Sequence, residues 1–274
     1  DYVVETHEPA DEQTIVDTEE LGPNSYDADN PDQTVPFWDD LNGRGAWVWT
    51  DELGWSWIPS DRGQGWQPYQ NGQWVLTDAG WAFESNESYG SIVYHYGRWV
   101  YLSGYGWVWV PGRRWAPAWV SWRVSDGHVG WCPMAPRFYG PYYAYMGNPM
   151  YWSFVETRYF LSPGIYRVVI PRYRAKNVYS RTRRIARSHR YGRARFNPGP
   201  NPKRIRNYVG RAPQRRPAQS MRRGAVPRAS SGRTPARVPE RRAVPNSPRR
   251  NQRAAPQPGQ RYNLRGRTIN PRAR

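Results

Sequence analysis

The sequence predicts an all-β fold: repeated short Trp-rich β-hairpins packed into one small domain, with disordered N- and C-terminal tails. Three observations predict it. All sixteen tryptophans fall between Trp38 and Trp152, which confines the core to a stretch of ordinary domain size. Within that stretch one motif recurs at nearly constant spacing. Outside it the charge is one-sided: residues 1–40 hold thirteen Asp or Glu and no Lys or Arg, whereas residues 172–274 hold thirty-one Lys or Arg and the single acid Glu240. Segments this polar bury too little apolar surface to offset the entropy of ordering them. The net charge of +18 is thus a property of the tail.

The chain divides into four segments. Residues 1–37 read as an acidic disordered linker, 38–173 as the Trp-rich hairpin domain, 174–211 as a basic extension with a short helix, and 212–274 as an Arg/Pro-rich disordered tail.

The repeat is GxWVφ, a short turn, then GWxφ, where φ is a large apolar residue. Its copies are Gly45-Ala46-Trp47-Val48-Trp49 with Gly54-Trp55-Ser56-Trp57, Gly72-Gln73-Trp74-Val75-Leu76 with Gly80-Trp81-Ala82-Phe83, and Gly97-Arg98-Trp99-Val100-Tyr101 with Gly106-Trp107-Val108-Trp109. Residues two apart on an extended chain share a face, so each half-motif places its large side chains together. The intervening residues are turn formers, and the glycine before each second tryptophan suits a positive φ or a bulge. A lone two-stranded hairpin is marginal, so the copies must pack on one another. Residues 119–131 predict a fourth hairpin around Ser125-Asp126-Gly127, with Pro111, Pro117, Pro133 and Pro136 at strand edges or connectors.

Residues 138–151 read as an exposed Tyr-rich loop. Residues 152–160 and 165–173 predict two further strands around Ser162-Pro163-Gly164. Asn201-Pro202, KRIRNYV and Gly210 give a helix with a cap, a first-turn proline and a glycine stop. From Arg211 onward the low-complexity composition predicts no structure.

The linked motifs HYGRWVY, GYGWVWVPG, WAPAWVSWR and GHVGWCPMAP resemble a bacterial Trp-rich family of unknown function, over about residues 38–173. The resemblance implies export, envelope residence and, in some members, a neighbouring FecR-like domain. It brings no reaction and no catalytic residue. It also suggests that a signal peptide has been removed before Asp1, giving a periplasmic or envelope protein.

The chemistry available to the core is sparse. His95, His128, Asp126 and Cys132 are the candidates for catalysis, and Cys132 with His128 is the one nucleophile–base pairing the sequence offers. No signature surrounds either residue, and a lone cysteine among aromatics is more often a small buried hydrophobe. No catalytic residue is assigned, the expectation is a non-enzyme, and no cofactor or metal is expected. Trp47, Trp55, Trp74, Trp81, Trp99, Trp107 and Trp122 are expected in the core. Trp66, Tyr69, Trp115, Trp119, Tyr142, Tyr143 and Tyr145 are the candidates for an aromatic face that contacts glycan or protein.

The basic segments have Arg181, Arg183, Arg184, Arg187, Arg190, Arg215, Arg216, Arg222, Arg223, Arg241, Arg242, Arg249 and Arg250 as candidate polyanion contacts. The expected partners are anionic envelope polymers or lipids. Non-specific nucleic-acid binding is the alternative. No apolar run is long enough for a transmembrane segment. Self-association of the acidic head with the basic tail is a third option.

Overall fold

A computed structural model describes residues 35–222 of the chain; the expected disordered segments lie for the most part outside the described residues. The order of elements begins with α1 (Trp38–Leu41), β1 (Gly45–Thr50), β2 (Gly54–Pro59), β3 (Gly72–Thr77), β4 (Gly80–Ser85), α2 (Gly90–Val93), β5 (Arg98–Leu102) and β6 (Gly106–Val110). It continues with β7 (Val120–Val124), β8 (His128–Pro133), α3 (Tyr142–Gly147), β9 (Ser153–Glu156), α4 (Arg172–Ser180), β10 (Arg183–Arg184), β11 (His189–Tyr191), β12 (Ala194–Phe196), α5 (Pro202–Val209), β13 (Arg215–Arg216) and α6 (Ala218–Arg222).

All three repeats are antiparallel hairpins in the register their motif implies. Trp47 faces Trp57 and Trp49 faces Trp55; Trp74 faces Phe83 and Leu76 faces Trp81; Trp99 faces Trp109 and Tyr101 faces Trp107. The two motif glycines do different jobs. A Cβ on the first would lie 2.2 Å from a backbone carbonyl of the opposite strand, Ile58 for Gly45, Glu84 for Gly72 and Val110 for Gly97. The second glycine turns the chain into the strand with positive φ, +71° at Gly54, +120° at Gly80 and +76° at Gly106, where a side chain is disfavoured.

The first and third copies share a four-stranded sheet, β1-β2-β6-β5, joined where Trp57 pairs with Trp109. Trp47, Trp57, Trp109 and Trp99 thereby form one row across all four strands. The second copy forms a separate sheet, β13-β3-β4, and the fourth hairpin joins a third, β10-β7-β8-β9. Trp74 of the second copy packs on Trp122 at 4.5 Å and Trp131 at 5.4 Å, so aromatic rings tie the second sheet to the third. The backbone bond from Trp99 N–H to Met134 O ties the third to the first. Twelve of the sixteen tryptophans are buried. With so few Leu and Ile, indole is the material of this core, each ring burying ~200 Å².

Three expectations need correction. Residues 165–173 contain no strand: Ile165–Arg167 is a 3-10 turn and α4 starts at Arg172. Ile170 N–H does bond Phe154 O, but Pro171 has no N–H with which to extend that pairing. Residues 138–151 are not simply an exposed loop, because α3 sets Tyr142, Tyr145 and Met146 on one face and buries them. Order also continues past Arg211: β13 pairs in parallel with β3, and Asp78 accepts a 2.6 Å hydrogen bond from Ala218 N–H at the start of α6.

The basic extension is part of the core rather than an appendage. Ala175, Ile185, Ala194, Phe196, Ile205 and Ala218 join its central cluster. Trp81 donates its backbone N–H to Pro198 O and its indole N–H to Pro200 O. Helix α5 has the features its sequence predicts: the Asn201 side chain caps Lys203 N–H, Pro202 occupies the first turn and Gly210 stops it at φ 77°.

Candidate functional site

The predicted aromatic face is not assembled. Tyr69, Trp115, Trp119, Tyr142 and Tyr145 are all buried. Tyr69 is a hub: it holds φ at +62°, donates its hydroxyl to Tyr94 O, accepts from Trp119 N–H, and accepts from the Trp131 indole at its own carbonyl. Trp119 donates to His95 O and lies under the Arg98 guanidinium at 3.4 Å. Trp115 stacks on His95, and Tyr145 donates to Pro133 O. Tyr143 alone of the seven is well exposed, at 59 %, while Trp66 is half-buried.

The exposed indole surface lies elsewhere. Trp47, Trp49 and Trp55 are half-buried, which corrects the core expectation for Trp47 and Trp55. They gather around Trp38 and Val35 as a second cluster, which Trp47 joins to the main core by packing against Trp109. Trp38 stacks on Trp47 at 4.5 Å and meets Trp55 edge-on at 5.1 Å; Trp55 meets Trp49 edge-on at 5.7 Å. Trp47 and Trp49 lie on β1, the outer strand of its sheet, and Trp55 on β2 beside it. In sequence, Asp39 and Asp40 follow Trp38 in α1, and Asp51 and Glu52 lie in the β1–β2 turn between Trp49 and Trp55.

The second surface is cationic. Residues 158–222 contain nineteen Lys or Arg and no Asp or Glu, and seventeen of the nineteen are exposed. Arg181, Arg183, Arg184, Arg187 and Arg190 are all exposed along the path from α4 to β11. Arg123 of β7 fixes that path: it donates to Thr182 Oγ1 at 3.0 Å and lies 3.9 Å from the Tyr179 ring. Arg215 and Arg216 are exposed on β13, where Arg216 pairs with Glu84. Arg222 offsets part of the rise that burial imposes on the Tyr96 hydroxyl. Arg223, Arg241, Arg242, Arg249 and Arg250 lie outside the described residues.

Sequence reasoning missed the tyrosines among these arginines. Helix α5 packs against the turn 157–159, and Arg211 reaches Leu161 O at 3.4 Å. The region so formed exposes Tyr159 at 40 %, Tyr166 at 49 % and Tyr208 at 42 %. Each has a guanidinium near its ring, Arg158, Arg167 and Arg204 respectively, at 4.9 to 5.5 Å. The signal was present as the pairs Arg158-Tyr159 and Tyr166-Arg167, hidden because both were assigned to strands.

The catalytic candidates do not converge. His128 and Cys132 lie four residues apart on β8, a separation of ~13 Å along an extended strand. Cys132 is fully buried, which pushes its thiol well above the usual range, and His95 is held neutral by burial, its pKa pushed down to about 4. The main polar cluster inside the fold is instead built on Glu87. Its carboxylate accepts from the Trp66 indole at 2.8 Å, from Ser85 at 3.0 Å and from Tyr94, while Tyr89 spans from Glu87 to Asp61. Burial raises the Glu87 pKa. These bonds tie the 61–66 loop to β4 and α2. Among the described residues no three His, Cys, Asp or Glu gather as a metal site, and no helix is long and apolar enough to cross a membrane.

The run of Trp hairpins, ending in a fourth at β7–β8, coincides with a family match. Residues 38–138 match the model of a family of unknown function, DUF6600. The match takes in all three repeats and the fourth hairpin, and ends before α3. No curated protein and no solved structure matches the chain. The DUF6600 segment thus supplies the aromatic scaffold, while the acid-free cationic segment lies beyond it.

Proposed function

We propose that this protein is a non-catalytic binding or scaffolding component of the cell envelope that holds an anionic polymer or lipid surface through its arginines. The observation that carries the reading is the folded segment 158–222, with nineteen cations, no acid and seventeen of the cations at the surface. A disordered basic tail attracts any polyanion. Here a fixed scaffold bears part of the charge, so the cations are spaced before the ligand arrives and less ordering entropy opposes binding. Envelope residence rests on the motif resemblance and its implication of export.

The test is co-sedimentation of the full chain with anionic and neutral vesicles and with an anionic polysaccharide, across a salt series. Binding that is selective for the anionic partners and falls steeply with salt supports the reading. Equal binding to neutral vesicles, or none to either anionic partner, overturns it. Fractionation of the native protein with and without high salt addresses the location.

A second reading is non-specific binding of single-stranded nucleic acid. Exposed Tyr159, Tyr166 and Tyr208 beside arginines favour it, because bases stack on such rings while the cations track phosphates. A base-free polyanion such as polyphosphate separates the two. If tyrosine-to-alanine changes weaken oligonucleotide binding and leave polyphosphate binding intact, the nucleic-acid reading gains.

A further inference from the structure

The sheet β13-β3-β4 leaves part of one edge open. Trp81 and Phe83 of β4 donate their backbone N–H groups away from β3, to Pro198 O and Pro117 O. Their partners across the hairpin are Leu76 and Trp74. Residues directly opposite in an antiparallel pair point their N–H groups either at each other or both away, so Leu76 and Trp74 turn theirs out toward the β13 side. β13 meets β3 only at Leu76 and Thr77, which leaves the Trp74 N–H without a strand partner on that edge. There Trp74, Gln73 and Leu161 line a notch of about 80 Å³ together with Arg211, Gln214 and Arg216.

The donors at the notch suit an anion. Arg211 and Arg216 bring guanidinium groups, Gln73 and Gln214 bring amides. A carboxylate already engages two of these side chains: Glu84 accepts from Gln73 at 2.6 Å and pairs with Arg216. Both keep further N–H groups, because a guanidinium carries five and an amide two. Arg211 makes a long bond, 3.4 Å, to Leu161 O. A space of about 80 Å³ has room for about six waters, hence for one small group and not for a stretch of polymer. A phosphate matches this set better than a carboxylate. It offers three strong acceptor oxygens in place of two, and the planar fork of arginine binds it through paired hydrogen bonds.

We propose that this notch seats one phosphate group, held by the Arg211 and Arg216 guanidinium groups, the Gln73 and Gln214 amides and the Trp74 backbone N–H. The seat rests on the polyanion reading for the source of its phosphate, and adds to that reading one place of defined shape. Arginines elsewhere on 158–222 draw in anions by charge alone. The seat selects by hydrogen-bond geometry, so it separates a terminal phosphate from a carboxylate. The same chemistry is presented by a lipid headgroup that ends in phosphate and by phosphate free in solution.

Titration of the isotope-labelled full chain with inorganic phosphate tests this by nuclear magnetic resonance, with acetate as the carboxylate control. The signals read are the Trp74 backbone amide and the Gln73 and Gln214 side-chain amides, in the wild type, Arg211→Gln, Arg211→Lys and Arg44→Gln. Arg44 is exposed and lies outside the cationic segment, so its replacement removes the same charge and spares the seat. In the wild type and Arg44→Gln the three signals should move together along one saturating curve, and acetate should leave them in place. Arg211→Gln should raise the dissociation constant about tenfold, and Arg211→Lys, which keeps the charge without the fork, should not restore it. Wild-type signals that stay in place, that follow acetate equally, or that saturate alike in Arg211→Gln overturn the seat. Vesicles whose lipids end in phosphate, charge-matched to vesicles with carboxylate lipids, identify the source. Displacement of inorganic phosphate by the former alone assigns the seat to a headgroup, no displacement assigns it to free phosphate, and equal displacement by both overturns the selectivity claimed. If the seat fails while anionic vesicles still bind, the polyanion reading stands; if the seat saturates while no anionic partner binds, that reading falls and the phosphate site remains.

Discussion

The two glycines of the repeat can be tested by separating space from backbone conformation. Four positions form the set. Gly45 lacks room without needing positive φ: a Cβ there would lie 2.2 Å from Ile58 O and 2.6 Å from the Trp57 ring. Gly104 needs positive φ, +88°, and has nothing within 4 Å. Gly97 has both constraints, φ +62° and Val110 O at 2.2 Å, and Gly127 has neither. Alanine in αL costs about 1 kcal/mol. Forcing a methyl against an opposing strand costs about 1–3 kcal/mol, because carbon and oxygen must separate by about 1 Å in a pair whose spacing is otherwise fixed. Gly127→Ala should therefore be neutral within about 0.5 kcal/mol. Gly104→Ala should cost about 1 kcal/mol, Gly45→Ala about 2 and Gly97→Ala about 3. At about 2–4 °C per kcal/mol for a fold of this size, Gly97→Ala should melt about 6–12 °C below wild type. Urea and thermal unfolding followed by tryptophan emission give the values. If Gly97→Ala and Gly127→Ala melt together, or if Gly45→Ala is as mild as Gly127→Ala, the steric account of the motif is wrong.

Other expectations rest on single contacts. His95 is neutral in the fold, its pKa pushed from an ordinary 6.5 to about 4 by burial. Its contribution is complete above pH 6.5 and is lost as pH falls toward 4, a change of about 3 kcal/mol. Glu87, raised by burial, acts in the opposite direction, so the quantity to measure is the pH dependence of the stability difference between wild type and His95→Gln; a flat difference contradicts it. Removing residues 223–274 leaves every described contact in place and should cost less than about 0.5 kcal/mol. Removing 212–274 should cost about 2–3 kcal/mol more, through the lost Ala218–Asp78 and Arg216–Glu84 contacts and β13 pairing. Equal melting of the two truncations would place β13 and α6 outside the cooperative fold. Trp66→Phe should lose about 1 kcal/mol or more by leaving the Glu87 carboxylate one donor short.

The hairpins were legible because their cause is local. Alternation sets which side chains share a face, and glycine at fixed offsets marks the turns, so all three hairpins could be read from the motif; their facing pairs come from the structure. Which indoles face solvent was not legible, because that depends on how the copies assemble. Trp47 and Trp74 occupy the same motif position; the first lies on an outer strand and stays half-exposed, the second lies against Trp122 and Trp131 and is buried. Nothing within either hairpin distinguishes them. The basic extension misled for the opposite reason. Its composition suggests disorder, yet Ala175, Ile185, Phe196 and Ile205 are sparse apolar contacts to a core supplied by residues far away in sequence. α5 was legible because capping and the glycine stop act within one helix.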